Sequence, residues 1–412
     1  MCAVSEFKIE REKAKKAERK PAFLGPDIDL AHYTDEAEDL TRVGALRELA
    51  PEVKEIALAV GVNTGEAERA GSFFQMNKSV LFVASQDVGL EVMSTTEALE
   101  KYEWLRDYWW RAVMVDADKY TARAELSLQG GYFIRALPGA KVLMPVQACL
   151  YLNREMFSQN VHNIIIAEEG SELHIITGCT TGRDIKSGMH IGISEFFVKK
   201  NARITFSMIH SWAEEVAVRP RSGAIVEEGG IFLSNYICLK PVRTLQMYPV
   251  VYCNGKGAIA RFNNILLAHE GSSMDVGSRV ILSAPNCRAE AITRAITIGG
   301  DIISRGHLVG EAPDIKAHLE CRGLILKEKG RIYAIPELEG KLPNVEMSHE
   351  AAVGKIAEEE IHYLMSRGLT EDEARAAIIR GFLDVDIKGL PAQLKEEIKR
   401  AIAMAEETDH LF

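Results

Sequence analysis

No stretch of this sequence is apolar enough to cross a bilayer. The longest apolar runs, such as residues 56–60 and 80–84, fall far short of the ~18 residues a spanning helix needs. Residues 1–20 are rich in Lys and Glu and contain no apolar core of a secretory signal, so a cytoplasmic chain is expected. Cysteine is sparse and scattered. Seven residues (Cys2, Cys149, Cys179, Cys238, Cys253, Cys287 and Cys321) form no C-x-x-C pair. That excludes zinc ribbons, thioredoxin-type redox motifs and ferredoxin cluster runs as local motifs, and the odd number argues against a disulfide framework.

Positive charge is also in deficit: 49 Lys and Arg against 59 Asp and Glu give a formal charge of −10. A chain so acidic has no overall field to attract nucleic acid. The one basic cluster, residues 13–20, is interrupted by Glu18 and reads as a solvated helix face. No G-x-x-x-x-G-K-[ST] cradle and no G-x-S-x-G elbow occur. Gly255-x-Gly257-x-x-Ala260 matches a dinucleotide fingerprint loosely, but residues 258–265 read as a strand where a phosphate-binding helix would be needed. His269-Glu270 and His349-Glu350 each lack the second His of a zincin helix.

What is present is an ordinary soluble balance, 47% apolar and 26% charged over 412 residues, enough for two or three units. Residues 1–123 read as a mixed α/β region, with helices over 36–49, 52–60 and 95–116 and a strand over 78–84. Trp104, Leu105, Tyr108 and Trp109 form an aromatic stripe that reads as packing. Residues 124–347 are a succession of short β-rich runs. Residues 348–412 read as three amphipathic helices. The first stops at Gly368, the second opens on the capping pair Thr370 and Glu373, and the third starts at Pro391. So small a bundle needs a surface or a partner to dock on.

In the β-rich region, turns follow charged pairs at Gly170, Asn201 and Gly229, and the series continues at Gly257 and Asn286. The intervals are 31, 28, 28 and 29 residues. A recurring interval of this length marks stacked coils, each burying its apolar face on the next. A sandwich would place turns every 8–12 residues without the longer period. The expected fold is therefore mainly β, a parallel β-helix core, with a sandwich as the alternative.

Several segments, in order, resemble one family. They are 118–125 (DKYTARAE), 130–139 (GGYFIRALPG), 163–170 (NIIIAEEG), Gly178-Cys179-Thr180, His349-Glu350-Ala351, 363–369 (YLMSRGL) and Gly381-Phe382-Leu383. Together they look like the core of the SufB/SufD family, over roughly residues 51–400. The resemblance implies a right-handed parallel β-helix that serves as a scaffold for iron–sulfur cluster assembly. It also implies an ABC-type ATPase partner, SufC, on the C-terminal helices of 348–412, and sulfur supplied by a cysteine desulfurase or sulfur carrier.

Carried over by position, Cys179 resembles the cysteine that receives persulfide sulfur, and Asn153 and Trp212 lie near its route. Cys321, His349 and Glu350 resemble the residues that hold the cluster. His210 stands where SufB proteins commonly carry Gln, and Thr181-Gly182 departs from the usual Ala-Pro. Thiolates are the ligands these clusters prefer, usually four per cluster. One matched thiol per chain then implies two facing chains, either a homodimer or a pair with a SufD-like paralogue. A reduced flavin is a candidate electron source. No enzymatic activity is expected of the chain itself. Cys149, Cys238, Cys253 and Cys287 read as core, as do His162, His174, His190, His269 and His307. The alternatives are a SufD-like companion subunit and, further off, a β-helix carbohydrate-active enzyme.

Overall fold

The expected turns are the corners of a solenoid. In a computed structural model that describes residues 8–65, 69–383 and 396, Gly170, Asn201, Gly229, Gly257 and Asn286 all have φ between 55° and 70°. Glycine enters that left-handed region freely and Asn tolerates it better than most side chains. Each corner N–H donates to the carbonyl just before the next corner: Gly170 to Lys200 at 2.9 Å, Asn201 to Glu228 at 2.8 Å, Gly229 to Lys256 at 2.9 Å. Gly139 and Asp314, also at positive φ, extend the column at either end. Charged residues beside the corners pair along it, as Lys199 does with Glu227 at 3.0 Å.

Two sheets run between the corners. The first stacks Gly71–Met76, Val146–Leu152, Glu172–Thr181, Arg203–Ser211, Ile231–Cys238, Ile259–His269, Arg288–Ile298, Lys316–Ile325 and Glu346–Gly354 in parallel, with Ser79–Ser85 antiparallel at one edge. The second faces it and includes Ser158–Ala167, Ser187–Val198, Ser273–Leu282, Asp301–Gly310 and Arg331–Gly340. The chain makes about eight coils of this parallel β-solenoid. The expected mainly β architecture is the observed one, and the sandwich alternative falls away.

Strands of this kind are buried on both faces, so they read as apolar runs. Lumen-facing side chains such as Ile175, Ile204, Phe232 and Leu266 form the central core. The outer face of the first sheet (Ile176, Ile209, Ile237, Ile265) is covered by α2 (Pro51–Ala59) and α6 (Glu371–Leu383) through Ala57, Ile379 and Leu383. The outer face of the second sheet is covered by α1 (Lys8–Ala17), α3 (Thr95–Lys101), α4 (Lys119–Leu126) and the aromatic stripe. Tyr108 meets Phe197 edge to face at 4.7 Å, so the stripe is packing, as its spacing suggests.

Three stretches differ from the helical pattern. Residues 36–49 are extended apart from one 3-10 turn, Leu46–Glu48. Val43 N–H donates to Leu81 O at 3.0 Å and Leu40 N–H to Ser79 Oγ, so the strand edge takes the backbone bonds a helix would keep. The helix expected over 95–116 ends at Lys101, a 3-10 segment runs from Glu103 to Tyr108, and Trp110 has φ 55°. Its cause is Glu195. This buried carboxylate accepts from the N–H groups of Trp110, Ala112 and Val113 and pairs with His162 Nε2 at 2.8 Å, which removes those amides from any helix.

At the other end, helix does not begin at 348. The strand Glu346–Gly354 runs through it, and α5 spans Glu358–Met365. Gly368 follows with φ 99°, and Thr370 and Glu373 exchange the expected capping bonds at 2.8 and 3.3 Å. The helix expected from Pro391 lies outside the described residues. The last strands, Arg331–Gly340 and Glu346–Gly354, are largely exposed, and among the described residues nothing covers that end of the solenoid. No helix among the described residues is long and apolar enough to cross a membrane.

Candidate functional site

Stacked coils turn sequence intervals into columns of side chains. On the first sheet, Cys179 lies opposite His210, and His210 opposite Cys238, on three successive strands. All three are buried. Two residues back in the same strands, on the same lumen face, come Thr177, Met208 and Tyr236. The Tyr236 hydroxyl lies 2.8 Å from His210 Nδ1, and the Thr177 hydroxyl 2.9 Å from that of Tyr132. From the facing sheet His190 enters, its Nδ1 held by Gln159 at 3.1 Å. Trp212 packs against both imidazoles, with ring centroids 5.1 Å from His190 and 5.2 Å from His210.

This chamber is buried, and that sets its protonation. Burial pushes the Cys179 thiol well up and the His210 imidazole well down, with His190 reinforcing the second effect. Burial alone lowers His190 to about 3. The resting state is therefore a neutral thiol among neutral imidazoles. A thiol so held is a poor nucleophile until a base takes its proton.

Cys321 stands on the same lumen face of the same sheet, in the Tyr236 column, which continues through Asn264 and Thr293. It is five strand steps from the Cys179 strand, roughly 24 Å at ~4.8 Å per step. A cavity lined by Phe206, Met208, Phe232, Tyr236, Phe262 and Asn264 lies between the two thiols. Burial raises the Cys321 thiol, and a hydrogen bond with Ser304 and the charge of Arg294 oppose that rise.

The next strand is the last. There Ala351 lies opposite Cys321, His349 opposite Leu319, and Glu350 opposite Glu320. His349 therefore shares the lumen face with Cys321 and sits diagonally beside it, while Glu350 points to the outer face. Cys321 is 2% exposed, whereas His349 and Glu350 are both exposed because no further coil covers them among the described residues. Glu350 accepts from Arg322 at 3.2 Å. Arg322 also pairs with Glu320 at 2.8 Å, and Glu320 with Arg294 at 2.6 Å. Among the described residues no three His, Cys, Asp or Glu side chains converge closely enough to hold a metal ion.

Residues 150–382 match the family described as SUF system FeS cluster assembly, SufBD core domain. An iron–sulfur cluster assembly SufBD family protein of Archaeoglobus fulgidus is 55% identical over 353 residues, 86% of this chain and 95% of its own. One from Methanothermobacter thermautotrophicus is 50% identical over 400 residues, 96% of this chain and 98% of its own. The chain belongs to the SufBD family. The iron–sulfur cluster assembly protein SufB of Bacillus subtilis is 29% identical over 366 residues, 86% of this chain and 78% of its own. Membership supports a role in iron–sulfur cluster assembly by the SUF system.

Within the SufBD frame, the six residues singled out from the sequence fall into separate places. Trp212 joins Cys179 in the chamber. Asn153 does not: it is exposed just past the strand Val146–Leu152, beside Gly182, and its backbone N–H donates to Asn77 Oδ1 at 2.7 Å. Cys321 and His349 share the lumen face of adjacent strands as diagonal neighbours, and Glu350 lies on the outer face. Sequence reading passed over Tyr236 and took Cys238 and His190 as core alone. The column that joins Cys238 to Cys179 was within reach of it, since the corner intervals of 31 and 28 residues, added to Cys179, land on His210 and then Cys238.

Proposed function

We propose that this SufBD protein is a cytoplasmic scaffold of the SufB type, on which sulfur enters at Cys179, travels along the lumen and is built into a cluster at Cys321. The observation that carries this reading is that both thiols face one lumen, on one sheet, with a cavity between them. Cys321, His349 and Glu350 of two chains would together supply thiolate, imidazole and carboxylate. This mixed donor set holds iron less firmly than four thiolates, which suits a scaffold that must hand its cluster on.

The open last coil supports the two-chain part of the reading. An exposed edge strand presents unpaired N–H and C=O groups that a second edge can satisfy. The exposed His349 lies on that edge. Sulfane sulfur must gain an electron pair to become sulfide, so an external reductant is required, a reduced flavin among the candidates. An ATPase of the SufC type would dock on α5, α6 and the segment that follows, and the chain itself would not be an enzyme.

Anaerobic incubation with ferrous iron, sulfide and reductant tests the reading. The expected product is a protein-bound cluster with visible absorption in the wild type and little in Cys321→Ala. Full retention of the chromophore in that variant removes Cys321 from the site. The companion-subunit reading draws on the salt bridge that ties up Glu350. It predicts that Cys179→Ser leaves cluster formation unchanged in the purified complex.

A further inference from the structure

The lumen between Cys179 and Cys321 restricts the form in which sulfur can pass along it. A sulfane sulfur moves from thiol to thiol only when the two come within bonding reach, ~2.05 Å in the product. Cys238, on the same face, is two strand steps from Cys179, roughly 10 Å, and three from Cys321, roughly 14 Å. Its column continues through Leu266, Ala295 and Gly323, none of which carries a thiol. Cys253 and Cys287 lie together at the corner end of their coils. Cys287 precedes Arg288, whose register partner Lys316 comes five residues before Cys321, roughly 17 Å along the strand. No thiol bridges the gap to Cys321.

The lumen is also without charge. Tyr236, Asn264 and Thr293 face it from one sheet, and Ser278 and Ser304 from the other. Among the described residues, no Lys, Arg, Asp or Glu takes a lumen-facing position on the strands that lead from Cys179 to Cys321. Charged residues of those strands alternate outwards, where Asp275 pairs with Arg305 and Arg294 with Glu320. An anion entering the lumen would lose its water and find no cation in exchange, a cost that a neutral molecule escapes. The same penalty on negative charge pushes the Cys179 and Cys238 thiols up.

Space sets a third limit. The cavity between the two thiols, walled in part by Phe196, Phe206, Phe232 and Phe262, leaves about 20 Å³ for the centre of a water-sized molecule, room for one. In the chamber beside Cys179, His210 Nε2 and Trp212 Nε1 are buried without a hydrogen-bond partner. The indole donates, and the imidazole accepts when Nδ1–H faces Tyr236. Both groups are neutral, so they offer a berth to a small neutral S–H molecule without taking its proton. The Gln that SufB proteins commonly carry in place of His210 would offer a neutral amide instead.

We propose that sulfur crosses this lumen as free, neutral hydrogen sulfide, and not as a persulfide passed from thiol to thiol. The proposal rests on the reading of Cys179 as the sulfur acceptor and Cys321 as the cluster thiol. Reduction then precedes transit. With a dithiol as reductant, its first thiol attacks Cys179 Sγ and the S–S bond of the persulfide breaks. The terminal sulfur departs with the bonding pair and takes the proton of the attacking thiol, leaving as hydrogen sulfide. The second thiol of the reductant resolves the mixed disulfide and returns Cys179 to its thiol form. The dithiol ends as a disulfide, two electrons poorer. At the open rim, water takes the two protons as iron takes the sulfide.

The test uses the full chain under anaerobic conditions, in two stages. First, the chain is loaded with isotopically labelled inorganic polysulfide without reductant, alkylated and mapped by mass spectrometry. Label is expected on Cys179, and any label on Cys238 or Cys321 should persist in Cys179→Ser as direct loading. Label on Cys238 or Cys321 that Cys179→Ser loses shows sulfane sulfur moving between thiols and overturns the proposal.

Second, the loaded chain is freed of polysulfide and given dithiothreitol and ferrous iron in a bath of unlabelled sulfide. The cluster is expected to carry label above the isotope ratio of the bath. A cluster at the bath ratio means that the sulfur went through solvent, and overturns passage through the lumen. Ser234→Leu narrows the cavity and is expected to lose that enrichment, and enrichment at the wild-type level in this variant overturns the assigned path. Should Ser234→Leu not fold, the wild type decides through the first stage and the bath ratio. If the wild type gains no label in the first stage that Cys179→Ser lacks, the acceptor reading itself fails and takes the proposal with it. If Cys179 loads and its label then reaches Cys321 without reductant, the acceptor stands and only the free cargo is lost.

Discussion

Cys321 and His349 share the lumen face of adjacent parallel strands, offset by one side-chain repeat, and the thiol is enclosed while the imidazole is open to solvent. The two side chains therefore lie near a rim, at the last described coil. On the proposed reading, a buried soft ligand beside an exposed harder one would give iron an entry from the open side and would keep the sulfur atom protected from oxidation until it is used. Glu350 belongs to the opposite face and to the Arg294–Glu320–Arg322 ladder, so on the proposed reading it would have to leave Arg322 to serve the same metal.

Replacing either rim donor should separate stability from function. Cys321→Ala removes one buried sulfur and is expected to cost about 1 kcal/mol of stability. His349→Ala, at an exposed position, should change stability by less than ~0.5 kcal/mol. Thermal melts check both values, and iron and sulfide analysis after anaerobic reconstitution should show a large loss in each.

A charge on the open edge should block self-association. Val353 is 40% exposed on the lumen side of the last strand. Val353→Lys is expected to shift the chain towards monomer in sedimentation velocity, with little change in melting temperature. An unchanged dimer would place the interface elsewhere.

Removing residues 357–412 should abolish binding of the ATPase subunit in a pull-down, and recovery of the subunit would contradict the docking assignment. The same truncation removes Ile379 and Leu383 from the apolar cluster that also holds Ile237 and Ile265, so the solenoid should also melt several degrees lower. Point changes on the exposed side of α5, such as Tyr363→Ala, should weaken ATPase binding without that melting shift.

Glu125 provides a pH test of the N-terminal packing. It accepts from Trp110 Nε1 at 2.7 Å in a buried site, and burial pushes its carboxyl up to about 7 from an ordinary 4.5. The folded chain thus holds a proton that the unfolded chain releases. Its contribution is fully present below pH 4.5 and is lost as pH rises through about 7. Glu125→Gln cannot ionise. It should match the wild type near pH 4.5 and be more stable at pH 8 by about 2–3 kcal/mol, as thermal melts at the two pH values would show.

The solenoid was legible because its corners demand particular backbone angles. Gly170, Asn201, Gly229, Gly257 and Asn286 mark the period in the sequence and sit at positive φ in the structure. The same period would have aligned Cys179, His210 and Cys238, so most of the chamber was readable from spacing. Tertiary contacts hid the rest. No local pattern reveals that Glu195 gathers three amides from a segment more than eighty residues earlier, or that residues 36–49 spend their backbone bonds on a strand edge. The resemblance named His349 and Glu350 together, but strand alternation puts neighbours on opposite faces, a separation that helical or linker readings of that segment do not foresee.

The last coil, uncovered among the described residues, has a further consequence. A parallel stack that ends in bare backbone could in principle go on growing, coil upon coil and molecule upon molecule, into a filament. Head-to-tail addition would leave a fresh end each time. Two such ends meeting about a two-fold axis instead consume each other's free edge, and growth stops at a pair. The same exposed strand that makes room for a shared metal would then also be the feature that keeps the protein from polymerising.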